Sequence, residues 1–576
     1  MNSTDKIYKK IILFSLIILF SLLTGIFLPV KWIASLFHYT GYYFIFFAFV
    51  LWALLLAKVG YKKFLPVLYK HYIGLILSII LIVLIFIISP PKFKILTDEA
   101  NLVGVSMSMY HDKTVSLPLQ GLSIDYEPSG YSYSTGKRPL LYPLTISFIH
   151  SILGYSANNG FIVNFLSGVL ILFLFYLFLT NFFPKFYAIL SIIIMASFPN
   201  FVFWVTSSGF ESINLLFVIF VFLLFHKFLI HRDIEVAELL FLSLILLAQC
   251  RYESIIFFTA IILLIPYLFN RNIIHKYTFI TYITPILLVP VIWQRKLCIH
   301  VSEPVRIGLE IYEKTDQLFC FNNFISNFSK NVFVFLGLNS HYGFMPVISL
   351  LAIIGFYLIV KKNIVGFSKT DLKNELIYFY GLTSFFLILI IYSSYYWGNF
   401  ILPVSNRLAL VFLPFIVFSA IYCLNKICIK IETQKKILLI ILFAFHLIYY
   451  WPYASDQKII NGLSLTYEYN KVLNYIKKNY DIKHEKILII SDRPSLYLIH
   501  NCGSVNFSYA NNNKEKIEYF FNNYFDHIIV IQRYLLKTKK IKINNKLDSS
   551  FKIDGLQDVK ITHDMYIKIL KVSSIS

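Results

Sequence analysis

Charge is what this 576-residue chain has least of: 14% of its residues are charged and 58% are hydrophobic. Soluble domains average roughly 25% charged residues. An ordinary water-soluble globule is therefore excluded, and the mean hydropathy of +0.69 agrees. Acidic residues are scarcer than basic ones, 30 against 52, which gives a formal charge of +22. In a membrane chain Lys and Arg gather in cytoplasmic loops because they set orientation, so no nucleic-acid partner is expected. The six cysteines form no C-x-x-C pair, which removes a zinc ribbon and a redox dithiol. His111, His150 and His341 lack metal-ligand spacing. Nothing calls for a metal or another cofactor, although a divalent ion stays compatible with the acids described below. No glycine-rich loop follows a strand-like run, so nucleotide binding is not indicated. No cleavable signal peptide is expected, because the first apolar run is long and a second follows closely.

Long apolar runs are what the chain has most of. Ile11–Val30, Gly41–Ala57 and Tyr72–Pro90 read as three spans. Lys6, Lys9 and Lys10 put the N-terminus in the cytoplasm, and Lys58, Lys62, Lys63 and Lys70 do the same for the second connector. The third span then emerges outside. A long polar segment follows, with an interfacial helix over Asp98–His111 and a short apolar stretch, Leu140–Leu153, lying on or dipping into the membrane. Ten further spans are expected near Gly160–Phe183, Phe186–Val205, Phe210–Ile230, Val236–Gln249, Tyr252–Phe269, Tyr277–Trp293, Gly343–Val360, Leu376–Tyr396, Arg407–Leu424 and Ile437–Trp451. A polar loop, Cys298–Lys330, interrupts them. The total is roughly thirteen, and an odd count leaves the C-terminus outside. Beyond Tyr453 strand-like runs (Lys486–Ile490 and His527–Ile531) alternate with helical ones, as in a small α/β domain. The chain thus divides into N-terminal membrane helices (1–91), an extracytoplasmic catalytic loop (92–159), a membrane core (160–453) and an extracytoplasmic α/β domain (454–576).

The organising stretch is Thr97-Asp98-Glu99-Ala100, just beyond the third span. Lipid does not tolerate two adjacent ionised carboxylates, so they belong where bilayer gives way to a watery cavity. Charge counting brings other ionisable groups to the same face: Arg138, Glu211, Arg251, Glu253 and Arg407. Each has a plainer role to weigh. Asp98 is a favoured N-cap residue, Glu99 a solvated neighbour, and the arginines can snorkel to headgroups. Glu211 and Glu253 can simply balance arginines, although Arg251 and Glu253, two apart on a helix, should not pair with each other. Cys298 and Cys320 share an outer loop where a disulfide is permitted. Tyr395, Tyr396 and Trp397 fit an interfacial aromatic belt, though aromatic walls also suit lipid and sugar ligands.

These features in this order resemble a known class. An acidic pair follows an early span, and a long outer loop closes on Lys137-Arg138-Pro139-Leu140. Then come Arg251-Tyr252-Glu253 at a span junction, Asn406-Arg407-Leu408 leading into Pro414, and a soluble C-terminal region. This looks like the GT-C class of polyprenyl-phosphate-sugar-dependent glycosyltransferases, near its protein O-mannosyltransferase-like and aminoarabinose-transferase-like members. The resemblance implies a polytopic helical fold in a bacterial plasma membrane. It also implies a polyprenyl-phosphate-sugar donor, a lipid, glycan or protein acceptor, and Asp98 as the catalytic aspartate. Arg251, Arg407 and Arg138 would hold the lipid phosphate, with Glu99, Glu211 and Glu253 beside the substrates. The residue types suit that chemistry. A phosphate leaving group needs no acid, only a base for the acceptor's proton and fixed positive charge for the departing oxygen. One displacement predicts inversion at the anomeric carbon. The rival from another class is a polytopic transporter or lipid flippase, which would line a path near the bilayer midplane with polar groups and paired repeats. No convincing repeat is present. A ligase or polymerase using a diphosphate-linked donor is the enzymatic alternative, and a receptor or scaffold would not need the outer-face arginines.

Overall fold

The computed structural model describes residues 3–63, 65–122, 131–261, 284–300, 319–338, 345–365, 372–427, 464–482, 484–535, 540–541, 546–560 and 565–575. The protein is mostly helical, at 71%. Helix is what a Leu-, Ile- and Phe-rich chain must adopt in hydrocarbon, where every backbone N–H and C=O needs an internal partner. Among the described residues five segments are long and apolar enough to cross a membrane: Val30–Gly60, Asn159–Leu179, Glu211–His231, Asn374–Ser394 and Val404–Ile427. Lys185–Ser197 and Pro199–Val205 make a sixth if taken as one span bent by 71°. The bend has a local cause. Phe198 precedes a proline, which disfavours helical backbone at that residue, and it is extended at φ −68°, ψ 123°.

Burial ranks these helices. Glu211–His231 and Val404–Ile427 are 83% and 89% buried over their apolar windows, whereas Val30–Gly60 is 17% buried. The first two are therefore the centre of the bundle, and the third is a peripheral helix. Other expected crossings are shorter, such as Tyr72–Ile88 with 17 residues and Ile234–Ala248 with 15. Parts of the expected Tyr252–Phe269 and Tyr277–Trp293 spans, all of Ile437–Trp451, and His341 lie outside the described residues.

One expected loop is a helix. Phe321–Phe335 falls largely within the polar Cys298–Lys330 connector. Its apolar residues Phe321, Ile325 and Phe333 are exposed, while Asn327 and Asn331 are buried. Asn327 donates to Ser393 O (3.1 Å) and Tyr395 O (2.8 Å), and Asn331 donates to Gly398 O (2.9 Å) and accepts from Phe400 N (2.9 Å). The buried asparagines cap a neighbouring chain reversal, and the apolar residues face outward, as they do against lipid.

The sheet crosses the expected boundary between the outer loop and the C-terminal region. Its strands are β1 (Ser116–Gly121), β2 (Tyr131–Thr135), β3 (Ile487–Ile490), β4 (Gly503–Val505), β5 (His527–Leu535), β6 (Lys540–Ile541), β7 (Phe551–Lys560) and β8 (Met565–Ile575). The order is β2-β1-β4-β3-β5-β8-β7, with β6 beside β5. β3 pairs in parallel with β4 and β5, and Gly121 of β1 pairs with Ser504 of β4. The outer loop and the C-terminal region therefore share one sheet. Pairing between strands almost 400 residues apart leaves no mark on local periodicity. Two further hydrogen bonds tie the regions together: Thr466 Oγ1 to Lys94 O (2.8 Å) and Tyr155 Oη to Ile499 O (2.9 Å).

In the membrane core, Pro346–Val365 packs against Leu413–Ile427 at Gly355. A Cβ there would lie 1.8 Å from the Ser419 carbonyl oxygen. Small residues let membrane helices approach closely. Gly355→Ala should destabilise the protein by roughly 1–3 kcal/mol, the usual cost of overpacking. A thermal unfolding midpoint in detergent checks this, and an unchanged midpoint would rule out the contact.

Candidate active site

Asp98 and Glu99 lie in the first turn of the Leu96–His111 helix, and both are buried. Their jobs differ. Glu99 Oε1 accepts from the backbone N–H groups of Lys94 (3.0 Å) and Ile95 (2.9 Å), and Oε2 accepts from Ser208 N (3.0 Å). Glu99, not Asp98, is therefore the capping residue, since it reaches back to amides that a helix start leaves without partners. Both of its oxygens are engaged by backbone amides, whereas its expected place is beside the substrates. Burial pushes the Glu99 carboxyl up to about 7, against the pull of the three amides.

The Ser208 amide belongs to a turn fixed from below. Asn164 Nδ2 donates to Ser207 O (2.7 Å) and Gly209 O (2.9 Å). A Cβ on Gly209 would lie 2.2 Å from Glu211 Oε2, so the glycine leaves that carboxylate room in its present position. The turn delivers Glu211 to the start of its helix, facing Asp98 and the arginines.

Six of the seven expected residues join one ion-pair network. Asp98 Oδ1 pairs with Arg138 Nη2, and Asp98 Oδ2 with Arg407 Nη2 at 2.8 Å. Arg407 Nη1 lies 3.5 Å from Glu211 Oε1, which also takes Arg251 Nη1 at 3.1 Å. Arg251 Nη2 reaches Glu253 Oε1 at 3.2 Å. That last pair overturns the expectation that residues 251 and 253 point apart. Arg251 is extended (φ −148°, ψ 146°) ahead of a short 3-10 turn, so the helical spacing rule does not apply to it. The Arg251 guanidinium also stacks 4.9 Å from the centre of the Phe210 ring.

Exposure grades the network from floor to mouth. The side chains of Glu211 and Arg251 are 3% and 7% exposed, Asp98 and Arg407 12% and 16%, and Arg138 36%. Burial alone would raise the Asp98 carboxyl, but Arg138 and Arg407 beside it outweigh that and hold it below its ordinary 3.8. A carboxyl lowered on folding stabilises the fold above its unfolded value and loses that contribution as pH falls through the folded one. Asp98 is thus ionised, and supports the fold, throughout the neutral range. Three carboxylates face three guanidinium groups, so the network is neutral as a whole.

Several supporting residues carried no motif. Tyr252 Oη donates to Lys137 O and lies 3.4 Å from Cys298 Sγ, while Gln294 Nε2 donates to Arg138 O at 3.0 Å. Together they fix the backbone that carries Arg138. Tyr395 sits within electrostatic reach of Glu253, Arg407, Arg138 and Asp98, so it belongs to the site wall as much as to an aromatic belt. Lys94 is buried with its ammonium 4.6 Å from the Phe203 ring centre. Burial, with Lys92 nearby, draws its amine down to about 7. Cys298 and Cys320 are both free thiols.

One constellation looks catalytic and is not. Ser106, His150 and Asn159 are aligned and buried. Asn159 Nδ2 donates to His150 Nδ1 and to Gly154 O, both at 2.8 Å. Nε2 of His150 therefore carries the proton and donates to Ser106 Oγ (3.1 Å), whose hydroxyl donates to Val103 O (2.7 Å). The serine faces no base, and the trio pins the outer-loop helix to Leu141–Leu153.

The family model for dolichyl-phosphate-mannose-protein mannosyltransferase matches residues 137–293, which hold Arg138, Glu211, Arg251 and Glu253. A crystal structure of ArnT from Cupriavidus metallidurans bound to undecaprenyl phosphate shares the fold, with a TM-score of 0.51 at 10% identity over 88% of this chain and 99% of that one. The apo form of the same enzyme gives 0.50 at 9% identity, over 87% and 98%. An oligosaccharyltransferase from Archaeoglobus fulgidus superposes more loosely, with a TM-score of 0.45 at 12% identity over 84% and 74%. A search of curated proteins by sequence found no match. Over residues 137–293 the chain is similar to that mannosyltransferase family, and its fold is the one seen in the ArnT structures.

The division of labour between the two acids is testable. Glu99→Ala strands three buried amides and should cost at least about 1–3 kcal/mol, read as a lower thermal midpoint. A midpoint left unmoved with activity lost would instead return Glu99 to the substrates.

Proposed function

We propose that the protein transfers a sugar from a polyprenyl-phosphate-linked donor to an acceptor hydroxyl at the extracytoplasmic membrane face, with inversion, and that Asp98 is the base. The observation that carries this reading is the Asp98 carboxylate held between Arg138 and Arg407 at the mouth of a buried arginine cluster. Positive-inside loop counting over three expected N-terminal crossings supports a mouth outside a bacterial plasma membrane, with the N-terminus cytoplasmic and the C-terminal α/β domain extracytoplasmic.

The donor phosphodiester carries one negative charge and competes with Asp98 for Arg138 and Arg407. Arginine's planar fork suits phosphate oxygens. The acceptor oxygen then forms a bond to the anomeric carbon as the carbon–oxygen bond to phosphate breaks. The electron pair stays on the phosphate oxygen, and the acceptor proton passes to Asp98. Arg407 and Arg251 hold the growing phosphate charge in a site mostly closed to water, and Glu211 and Glu253 keep those two arginines in place. An apolar cavity of about 310 Å³, lined by Phe178, Phe222, Phe385 and by Phe415 of the helix that follows Arg407, suits an isoprenoid chain. The mechanism assigns no step to a metal ion.

Asp98→Asn should reduce transfer from a polyprenyl-phosphate-sugar by about 10²–10⁴-fold, the usual contribution of a general base. Expression and donor binding should stay near normal. Radiolabelled transfer in proteoliposomes measures this, and retained turnover would remove Asp98 from the role. The product's anomeric configuration, read by NMR, should be opposite to the donor's.

The pH profile provides a separate check. With Asp98 held low, the acidic limb of kcat/KM in the unaltered protein lies below pH 3.8. Arg138→Met removes a neighbouring positive charge, so the Asp98 carboxyl rises and that limb moves to higher pH. A limb that stays in place would mean another group titrates.

A further inference from the structure

Between the outer-loop strands and the C-terminal sheet lies a second cavity, of about 400 Å³. One wall carries Thr97 and Asn101 from the catalytic helix and Gln120 from β1, and the other carries Asp492, Arg493, Ser495 and Asn506. Thr97 directly precedes Asp98 on this helix, so the cavity lies one residue along the chain from the proposed base. Its far wall is rigid for a specific reason. Arg533 donates through Nε to Glu468 Oε1 at 2.8 Å, through Nη2 to the same oxygen at 2.5 Å, and through Nη1 to Asp492 Oδ2. Asp492, the acid next to Arg493, is thereby committed to Arg533. Arg493 is left with a buried Nη1 that meets no acceptor in the protein. A buried donor without a partner is costly, more so when charged, and a bound anion would relieve that cost.

We infer that this cavity binds an anionic sugar unit of the acceptor, with Arg493 taking its carboxylate or phosphate and the amides and hydroxyls of both walls taking its hydroxyl groups. The word acceptor rests on the glycosyl-transfer reading; the binding does not. A guanidinium recognises either anion by a pair of parallel N–H bonds. The position beside Thr97 puts the units flanking the bound sugar within reach of Asp98.

The test uses the full chain in detergent and three probes: glucuronate, glucose 6-phosphate and glucose, titrated by saturation-transfer NMR. At least one anionic probe should bind about tenfold or more tightly than glucose, as expected for a hydrogen bond to a charged group. The carboxylate and phosphate arms tell the two sources apart. Arg493→Met should abolish the preference for the anion, whereas Asp98→Asn should keep it. Asn101→Leu, at the opposite wall, should weaken all three probes and serves if Arg493→Met does not fold. Equal binding of glucose and both anions would overturn the proposal. So would a folded Arg493→Met protein that keeps the preference. Anion binding through Arg493 in a protein that transfers no sugar would leave the pocket standing and remove the transfer reading alone.

Discussion

The structure turns on a neutral cluster, three guanidinium groups matched by three carboxylates where the membrane helices end. An arginine buried alone is prohibitively expensive, and one that keeps a partner is tolerated. Glu211 bridges Arg251 and Arg407 with one oxygen, Glu253 takes the rest of Arg251, and Asp98 joins Arg407 to Arg138. The partners form a chain rather than isolated pairs, so a ligand that captures one arginine alters the setting of the next. Glu211 and Arg251 are the closed middle of that chain, Glu253 at one end is 18% exposed, and Arg138 at the other, at 36%, is its most open member.

Three elements far apart in the sequence hold this cluster in register. The turn before Glu211 is clamped by Asn164 and capped onto Glu99, which joins the start of the central helix to the outer-loop helix. The Arg138 backbone is fixed by Tyr252 and Gln294. Above them, β1 joins the C-terminal sheet through β4, so the strands that roof the site and the helix that carries Asp98 belong to one packed unit. The same roof supplies both walls of the polar cavity beside Thr97. Catalytic helix, arginine cluster and cavity therefore cannot be displaced independently.

Much of the site was legible in the sequence because sidedness is written in composition. Lys and Arg counts in the loops put Asp98, Arg138, Glu211, Arg251, Glu253 and Arg407 at one membrane face, and the coordinates bring those six into contact. Finer geometry was not legible. The pairing of Arg251 with Glu253 depends on one extended residue, which helical spacing cannot reveal. Glu99 reads like Asp98 until the amides of Ile95 and Ser208 are seen to point at it. The asparagines of Phe321–Phe335 signal a loop by composition and cap a neighbouring turn in fact. Tyr252 and Gln294 act through hydrogen bonds to backbone, which leave no pattern in side-chain type.

The neutrality of the cluster bears on the reaction itself. In the proposed reaction, as the acceptor proton reaches Asp98, that carboxylate loses its negative charge while the departing phosphate gains one, so the total in the cavity does not change. What changes is the position of the negative charge, which moves from Asp98 to an oxygen that Arg407 and Arg138 can also reach. In a low-dielectric site, relocating a charge between partners of the same arginine costs far less than creating a new one. A transporter would have no use for this arrangement. Moving a charged solute past the cluster would require each pair to open and close again, with the deepest, at Glu211 and Arg251, almost closed to solvent. A cluster sealed at its floor and open at its mouth suits charge exchange at one face, which is what displacement of a lipid-linked phosphate demands.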